Sequence, residues 1–376
     1  MIPVSRPNLG AEEVDAVGRV FATGWLGLGS VTFDFEEQLK KYIGCEHAIA
    51  VNTGTSALHI ALDGFGVGPG DDVIVPSLTF AAAIQAILAV GATPVFCESH
   101  ERDLCIDVDD ARSRITDRTK AIMPVHYCGQ PADMDALLAL ADERSILVLE
   151  DAAHAFGSTS RGRKIGSFGH VACFSFDPIK NITCGEGGAV VLRDAEVAEE
   201  IRRKRIVGID KDTWHRYKNT RSWSYDVTTR GYRYHMPNFC AAVGLVQLAK
   251  VDQFIARRRE IARRYDAEFA GLERVTPLSI DYDEAAPHIY IVRVRRSERD
   301  HFMDFLKTRG VGTGIHYIAN HLHPLFKPFQ RGPLPRAEAL WQEIVTLPLY
   351  YGMTDGEVEQ VIGGVRAYAG AAAELA

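Results

Sequence analysis

Short apolar runs alternate with longer amphipathic stretches through the first half of the chain. Seven apolar runs of three to six residues have the character of strands, at 48–51, 72–75, 94–96, 121–125, 146–149, 171–176 and 189–192. Between them, apolar residues recur at helical spacing, as in 56–65, 81–90 and 134–141. The strands are apolar almost throughout rather than at every second position, which is typical of sheets buried on both faces. The pattern predicts an α/β fold with a mostly parallel sheet.

The second half of the chain has a different sequence pattern. Residues 210–238 mix aromatic, basic and acidic residues without helical or strand period, and an irregular stretch of that length is usually functional or lies at an interface. A long helical pattern covers 240–269. Beyond it we predict two strands and three helices, at 288–295, 297–309, 312–317, 334–343 and 355–368, in which the first and third segments are the strands. The predicted domains are a large α/β domain over 1–250, including the N-terminal segment and the 210–238 loop, and a small C-terminal α/β domain over 251–376.

Composition narrows the class of protein. A chain of 376 residues, 47% hydrophobic and 24% charged, has room for one large and one small domain. Its net charge of -7 gives no electrostatic reason to expect nucleic-acid binding. The seven cysteines form no Cys-x-x-Cys pair, which favours neither a disulfide framework nor a zinc site. Without an apolar signal region or a membrane-length apolar stretch, we expect a cytoplasmic enzyme that does not contact a membrane.

One lysine and one aspartate follow apolar strands in a pattern with chemical meaning. Lys180 lies in Phe174-Ser175-Phe176-Asp177-Pro178-Ile179-Lys180-Asn181, just before the glycine-rich run 184–189, and Asp151 ends another strand 29 residues upstream. Pyridoxal phosphate needs a lysine that holds its aldehyde as a Schiff base and a carboxylate that keeps its ring nitrogen protonated. Most loop lysines are simply surface residues, so the pattern alone leaves both interpretations open.

Other polar residues also follow strand ends, which is the edge of an open α/β sheet where ligands bind. The sequence Gly54-Thr55-Ser56 closes a strand and opens a helix. Backbone N–H groups at a helix start form an anion site, and a glycine permits close approach of the ligand. An ordinary Ser/Thr helix cap is the alternative interpretation.

Together these segments resemble the DegT/DnrJ/EryC1/StrS sugar aminotransferases, which are pyridoxal-phosphate enzymes of the aspartate-aminotransferase fold. The matching motifs stand in the family's order and spacing as far as about residue 350, at 52–58, 76–80, 150–157, 174–181 and 231–236. The resemblance implies a fold-type I transferase, with a large mostly parallel sheet domain and a small C-terminal α/β domain. It also implies pyridoxal 5'-phosphate as cofactor and a homodimer with shared active sites.

The resemblance further implies roles for individual residues. Lys180 forms the covalent link with the cofactor and moves the proton during amino transfer, which requires a neutral amine. Asp151 pairs with the ring nitrogen. The remaining cofactor contacts implied are Gly54, Thr55, Ser56 and Ser175 at the phosphate, Phe80 and His154 at the ring, and Arg233 reaching a neighbouring subunit's phosphate.

Two positions depart from the family pattern. The family commonly has His where Asp177 stands, and Gly-x-Asn-x-Arg-Met where this chain has Gly231-Tyr232-Arg233-Tyr234-His235-Met236. Arg233 offers a charged donor in place of the Asn. Trp25, the His316-Tyr317 turn and the segment 210–235 are candidate substrate contacts, although an aromatic-rich segment equally suits dimer packing.

We therefore expect an aminotransferase that moves an amino group from L-glutamate to a keto carbon of a nucleotide-linked keto-deoxysugar. A pyridoxal-phosphate aminotransferase of a cyclitol, such as a keto-inositol, would use the same cofactor residues. A pyridoxal-phosphate sugar dehydratase is a further alternative, although relatives with that activity have His in place of Lys180. The intact Lys180 and Asp151 argue against a regulatory relative without catalysis.

Overall fold

The centre of the molecule is a seven-stranded sheet. The structure is a computed structural model, and it describes residues 1–210 and 225–370. The strands of the sheet lie in the order β1-β9-β8-β5-β4-β2-β3. Their bounds are β1 His47–Val51, β2 Asp72–Pro76, β3 Thr93–Cys97, β4 Thr119–Ile122, β5 Leu147–Asp151, β8 Val171–Ser175 and β9 Gly188–Leu192, while β6 Thr159–Ser160 and β7 Arg163–Lys164 form a separate short hairpin.

Parallel pairing dominates this sheet. The pairs β8–β5, β5–β4, β4–β2 and β2–β3 are parallel, and β9 runs antiparallel to both of its neighbours, β8 and β1. Alternate residues of β1 belong to different hydrophobic clusters, with Ile49 and Val51 in one and Ala48 and Ala50 in the other. Both faces of the sheet are therefore covered, which confirms the mostly parallel, doubly covered α/β arrangement.

Helices fill the connections between these strands and continue through the C-terminal part. Of the described helices, the first seven are α1 Ala11–Thr23, α2 Ser30–Ile43, α3 Gly54–Gly64, α4 Ala81–Ala89, α5 Val108–Ser113, α6 Met134–Arg144 and α7 Ala195–Lys204. The later helices are α8 Asn238–Phe269, α9 Arg299–Thr308, α10 Pro335–Glu343 and α11 Asp355–Gly370.

A second, antiparallel sheet has the order β10-β11-β12, with bounds Val275–Pro277, Tyr290–Val294 and Ile344–Leu347. Helix α8 links the two sheets, because Phe254 and Ile255 pack in a cluster with the large sheet whereas Tyr265 and Phe269 pack with the small one. Ile2 also packs in that second cluster. The predicted domain division at 250/251 falls inside α8 and stays a prediction.

Helix α8 is the one helix in the described part of the chain that is long and apolar enough to cross a membrane by length and composition alone. It packs against α1, α2 and α11. Ala242 near its start packs in a further small cluster with Ala16 and Val20 of α1.

The predicted strand 312–317 is wrong. Gly314 makes only an isolated bridge to Thr346, and the third strand of the small sheet is β12 instead. The chain then leaves the small sheet, and the Asn320 side chain donates hydrogen bonds to the carbonyls of Ser77 and Thr79, in the loop after β2 of the large sheet. The other predicted C-terminal segments are confirmed in kind, as β11, α9, α10 and α11.

Candidate active site

A cavity of about 400 Å³ opens at the edge of the large sheet where β5 and β8 end. The last residues of these strands, Asp151 and Ser175, lie on its wall. Nine residues predicted from the sequence line this one cavity, namely Gly54, Thr55, Phe80, Asp151, His154, Ser175, Lys180, His316 and Tyr317.

The start of helix α3 forms one end of the cavity. Thr53 caps the helix, since its hydroxyl accepts a hydrogen bond from the Ser56 N–H at 3.0 Å. The first N–H groups of a helix have no carbonyl partner within it and favour an anion. Thr55 is exposed there. Ser56 is buried and its hydroxyl donates to the Asn52 Oδ1 at 2.6 Å, so the predicted phosphate contact of Ser56 stays a prediction.

Two glycines allow the backbone to come close at this end. A Cβ on Gly54 would lie 2.7 Å from the Cβ of Ser175, and one on Gly188 would lie 2.4 Å from the Thr53 carbonyl oxygen. Only glycine therefore lets the start of α3 pack against the end of β8 and the start of β9. The result is a narrow cradle of backbone and hydroxyl groups, which fits a phosphate.

Asp151 presents a buried carboxylate to the cavity. Its Oδ1 accepts a hydrogen bond from the Ala153 N–H at 3.1 Å, which fixes the side chain. Burial raises the pKa of Asp151, whereas that N–H and the charge of Lys180 oppose the increase. A cation held next to Asp151, such as a protonated ring nitrogen, would favour the ionised carboxylate further.

Lys180 is half-buried in the turn after β8. The next residue anchors this turn, because the Asn181 side chain donates to the carbonyls of Phe156 and Ala286. Burial lowers the pKa of Lys180 to about 8, although the carboxylates of Asp151 and Asp177 oppose the decrease. More of the amine is therefore neutral near neutral pH than in an ordinary lysine, and the neutral amine is the nucleophilic and basic form.

Aromatic rings line another side of the cavity. Phe80 is 57% exposed, an unusual fraction for a phenylalanine, and its ring centroid lies 5.5 Å from that of Tyr317. The Tyr317 hydroxyl is 3.0 Å from His154 Nε2. Burial lowers the pKa of His154 well below its usual range and raises that of Tyr317, so both side chains are neutral. His316 Nδ1 is 2.8 Å from the Thr346 hydroxyl, and burial lowers the pKa of His316 to about 4.

Trp25 and Arg233 do not line this cavity. They lie together in a second cavity of about 350 Å³, with Ile206, Tyr225 and His235. Arg233 is exposed. Residues 211–224 of the predicted aromatic substrate segment lie outside the described residues.

Sequence reasoning missed His288, whose Nε2 lies 3.4 Å from the Lys180 Nζ. His288 is buried two residues before strand β11, far from every motif in the chain. No local spacing indicated it, since only the docking of the small sheet against the large one brings the two side chains together. Asp177 and Glu186 also line the cavity and add two carboxylates to it.

The DegT/DnrJ/EryC1/StrS aminotransferase family model matches residues 7–366. The chain belongs to this family. It is 39% identical over 374 residues to the spore coat polysaccharide biosynthesis protein SpsC of Bacillus subtilis, covering 97% of this chain and 96% of SpsC. The match spans both sheets and the whole candidate site.

Solved structures agree with the family. The aminotransferase TlmJ from Streptoalloteichus hindustanus superposes with a TM-score of 0.92 at 37% identity, over 100% of both chains. The putative sugar aminotransferase Spr1654 from Streptococcus pneumoniae, in its PMP-form, gives 0.93 at 31% identity, over 98% of this chain and 99% of that one. The predicted fold-type I pyridoxal-phosphate transferase fold and the predicted aminotransferase class are confirmed.

Proposed function

We propose that this enzyme uses pyridoxal 5'-phosphate to move an amino group from L-glutamate to a keto carbon of a nucleotide-linked keto-deoxysugar. The observation that carries the proposal is one cavity that combines a helix start, a buried carboxylate, an exposed phenylalanine and a lysine whose pKa is lowered to about 8. These are the groups that suit the phosphate, ring nitrogen, ring face and aldehyde of the cofactor.

Different residues of the cavity would bind different parts of the cofactor. The start of α3, with Gly54 and Thr55, and the Ser175 hydroxyl would hold the phosphate, and Phe80 would lie against the ring. Asp151 would keep the ring nitrogen protonated, and His154, which is neutral, would pack beside the ring. When bound, pyridoxal phosphate supplies an electron sink that stabilises negative charge on the carbon bearing the amino group.

Lys180 performs the proton transfer in this proposal. With the cofactor bound, the neutral amine would take the proton from Cα of the amino donor, and the ammonium so formed would give it back on the cofactor side, so the amine must be able to change between the two forms. The lowered pKa of Lys180 provides the neutral form. Asp151 and Asp177 face the amine and keep the pKa from decreasing further.

Substrate binding needs positive charge that the described lining of the cavity does not supply. Its lining contains Asp151, Asp177 and Glu186 but no arginine, and Lys180 is its one lysine. A diphosphate or a donor carboxylate therefore requires cations from elsewhere. Exposed Arg233, with Trp25 in the same second cavity, suits a homodimer in which each copy completes the other's site.

The sugar substrate is supported by the relatives. SpsC acts in spore coat polysaccharide biosynthesis by its name, and Spr1654 is described as a putative sugar aminotransferase. His316 and Tyr317 in the lining of the cavity offer neutral hydrogen-bonding groups for sugar hydroxyls.

The test begins with enzyme loaded with pyridoxamine phosphate and mixed with dTDP-, UDP- and GDP-linked keto-sugars, with keto-inositol as the cyclitol arm. We expect one nucleotide-linked sugar to be aminated and to regenerate the visible absorption of the lysine-linked cofactor. L-glutamate should then reload the enzyme and release one equivalent of 2-oxoglutarate. The Lys180→Ala variant is the matched control.

Amination of keto-inositol alone would overturn the nucleotide-sugar substrate, and a deoxygenated rather than aminated product would indicate a dehydratase. Failure to take up the cofactor at all would support a regulatory relative.

A further inference from the structure

His288 is a buried histidine that the proposed function leaves without a role. Its backbone is fixed on both sides, since its N–H donates to the Cys128 carbonyl at 3.2 Å and its carbonyl accepts from Arg258 Nη1 at 3.0 Å. The ring therefore has a defined position at the junction of the two sheets.

The side chain of His288 points at Lys180. Its Nε2 lies 3.4 Å from the Lys180 Nζ, at the long end of the hydrogen-bonding range. Its ring centroid is 4.6 Å from that of His154. Within the described residues, His288 Nδ1 is buried without a hydrogen-bond partner, so Nε2 has the ring's one polar contact.

The surroundings of His288 exclude a second positive charge. Burial, together with the nearby Lys180, His154, Arg258 and His316, lowers the pKa of His288 well below its usual range. The ring is therefore neutral, with one nitrogen accepting and the other bearing hydrogen. An amine that is protonated can only donate, so Nε2 must be the acceptor in this pair.

We propose that His288 is a positioning residue for Lys180, whose amine donates a hydrogen bond to His288 Nε2 whenever it is not covalently linked to the cofactor. The inference rests on the proposed function in one respect, since that function frees the amine in every catalytic cycle. The hydrogen bond holds the freed amine in one place beside Asp151 and limits the orientations from which it must return.

A hydrogen bond from Lys180 to His288 would affect the pKa of Lys180, whereas simple packing of the His288 ring would not. A hydrogen-bond acceptor stabilises the charged ammonium more than the neutral amine. Removing the acceptor should therefore lower the pKa of Lys180 further, by about half a unit to one unit. Asp151 and Asp177, which also face the amine, remain in place in such a variant.

The experiment compares His288→Gln with His288→Met in full-length protein freed of cofactor. Both side chains are unbranched and similar in size, but only Gln provides an oxygen acceptor. The labelling rate of Lys180 by an amine-reactive reagent is followed from pH 6 to 11 by peptide mass spectrometry, because only the neutral amine reacts. His59→Met, at another buried histidine 2.9 Å from the Tyr234 hydroxyl, is the matched control.

We expect wild type, His288→Gln and His59→Met to titrate together near pH 8, and His288→Met to titrate about half a unit to one unit lower. An unchanged midpoint in His288→Met, or an equal decrease in His288→Gln, would overturn the proposal. If His288→Met does not fold, by circular dichroism, His288→Leu replaces it with the same two outcomes. No substrate enters this measurement, so it remains decisive even if the proposed amino donor or sugar is wrong.

Discussion

The cavity around Lys180 and the cavity around Arg233 are similar in volume, about 400 and 350 Å³, but they are built differently. The first is walled by the ends of β5 and β8, in the middle of the large sheet. The second lies between residues 25–28 and the segments 206–209 and 225–235, which are joined by isolated bridges such as Ile206 with Arg233.

In the proposed function, this difference separates the residues that carry out chemistry from those that recognise a ligand. Groups that must be desolvated and held in place, such as Asp151, stand on strand ends that hydrogen bonds fix on both sides. The Arg233 side chain is exposed, and in the proposed function it has only to reach a charged ligand. The catalytic groups proposed for the first cavity all belong to one chain, whereas an exposed arginine suits contact with a second copy.

The largest effect should come from Lys180→Ala. Without the amine there is neither a covalent anchor nor a base, so amino transfer should decrease by about four orders of magnitude or more. Half-reaction rates with L-glutamate measure this, and borohydride reduction with peptide mapping should place the pyridoxyl label of wild type on Lys180. A label on another lysine would remove the assignments of all the neighbouring residues.

Asp151→Asn keeps the shape of the side chain but removes its charge. Cofactor should still bind, while both half-reactions slow by about 10²–10³-fold because the ring nitrogen is no longer held protonated. Single-turnover absorbance measurements test this, with Asp177→Asn as a carboxylate control on the same cavity. Wild-type rates in Asp151→Asn would show that another carboxylate pairs with the ring.

Mixing two inactive variants tests whether the two cavities cooperate between copies. Lys180→Ala and Arg233→Ala should each be severely impaired. After subunit exchange, a mixed dimer carries both lesions in one site and none in the other. Activity should then recover towards about a quarter of wild type, since random pairing makes half of the dimers mixed.

No recovery, despite exchange verified by mass spectrometry of differently tagged subunits, would assign Arg233 to its own chain's site. In that case Arg233 would no longer support a contact between copies.

The burial of Lys180 should also destabilise the cofactor-free protein. Its folded pKa, lowered to about 8, lies below the unfolded value, so the charged form opposes folding below pH 8 and the penalty disappears as the pH rises towards 10.5. At pH 7, Lys180→Met should therefore unfold at a higher urea concentration than wild type. Its free energy of unfolding should be larger by up to about 3 kcal/mol. Urea titrations at pH 7 and 10.5 measure this. An advantage of Met that is independent of pH would indicate hydrophobic packing rather than charge.

The smallest effect expected is that of Phe80→Leu. Leu keeps much of the apolar contact but loses ring stacking, which contributes about 0.5–1.5 kcal/mol. Cofactor affinity, measured by fluorescence titration, should weaken by up to about tenfold, with Phe80→Tyr close to wild type. Equal affinity in Phe80→Leu would place the cofactor ring elsewhere in the cavity.

The sequence alone determined the elements whose signals are local. The apolar runs predicted every strand of the large sheet, because strands buried on both faces must be apolar throughout. Two turns that follow strands, Gly54-Thr55-Ser56 and the Lys180 segment, contain the reactive and anion-binding groups that the sequence indicated. The structure brings residues of both turns into one cavity with Asp151. The family, and with it the aminotransferase class, followed from the order of such motifs.

Only the tertiary structure decided the rest, because it depends on contacts between distant segments. The segment 312–317 has strand-like residues, yet the nearby Asn320 donates hydrogen bonds to the loop after β2, and β12 is the third strand of the small sheet. His288 is 108 residues from Lys180 and belongs to no motif. Arg233 matched a cofactor-binding pattern, but the fold places it in a different cavity of the same chain. Local pattern specifies which groups stand at strand ends, whereas the packing of two sheets decides which of them meet.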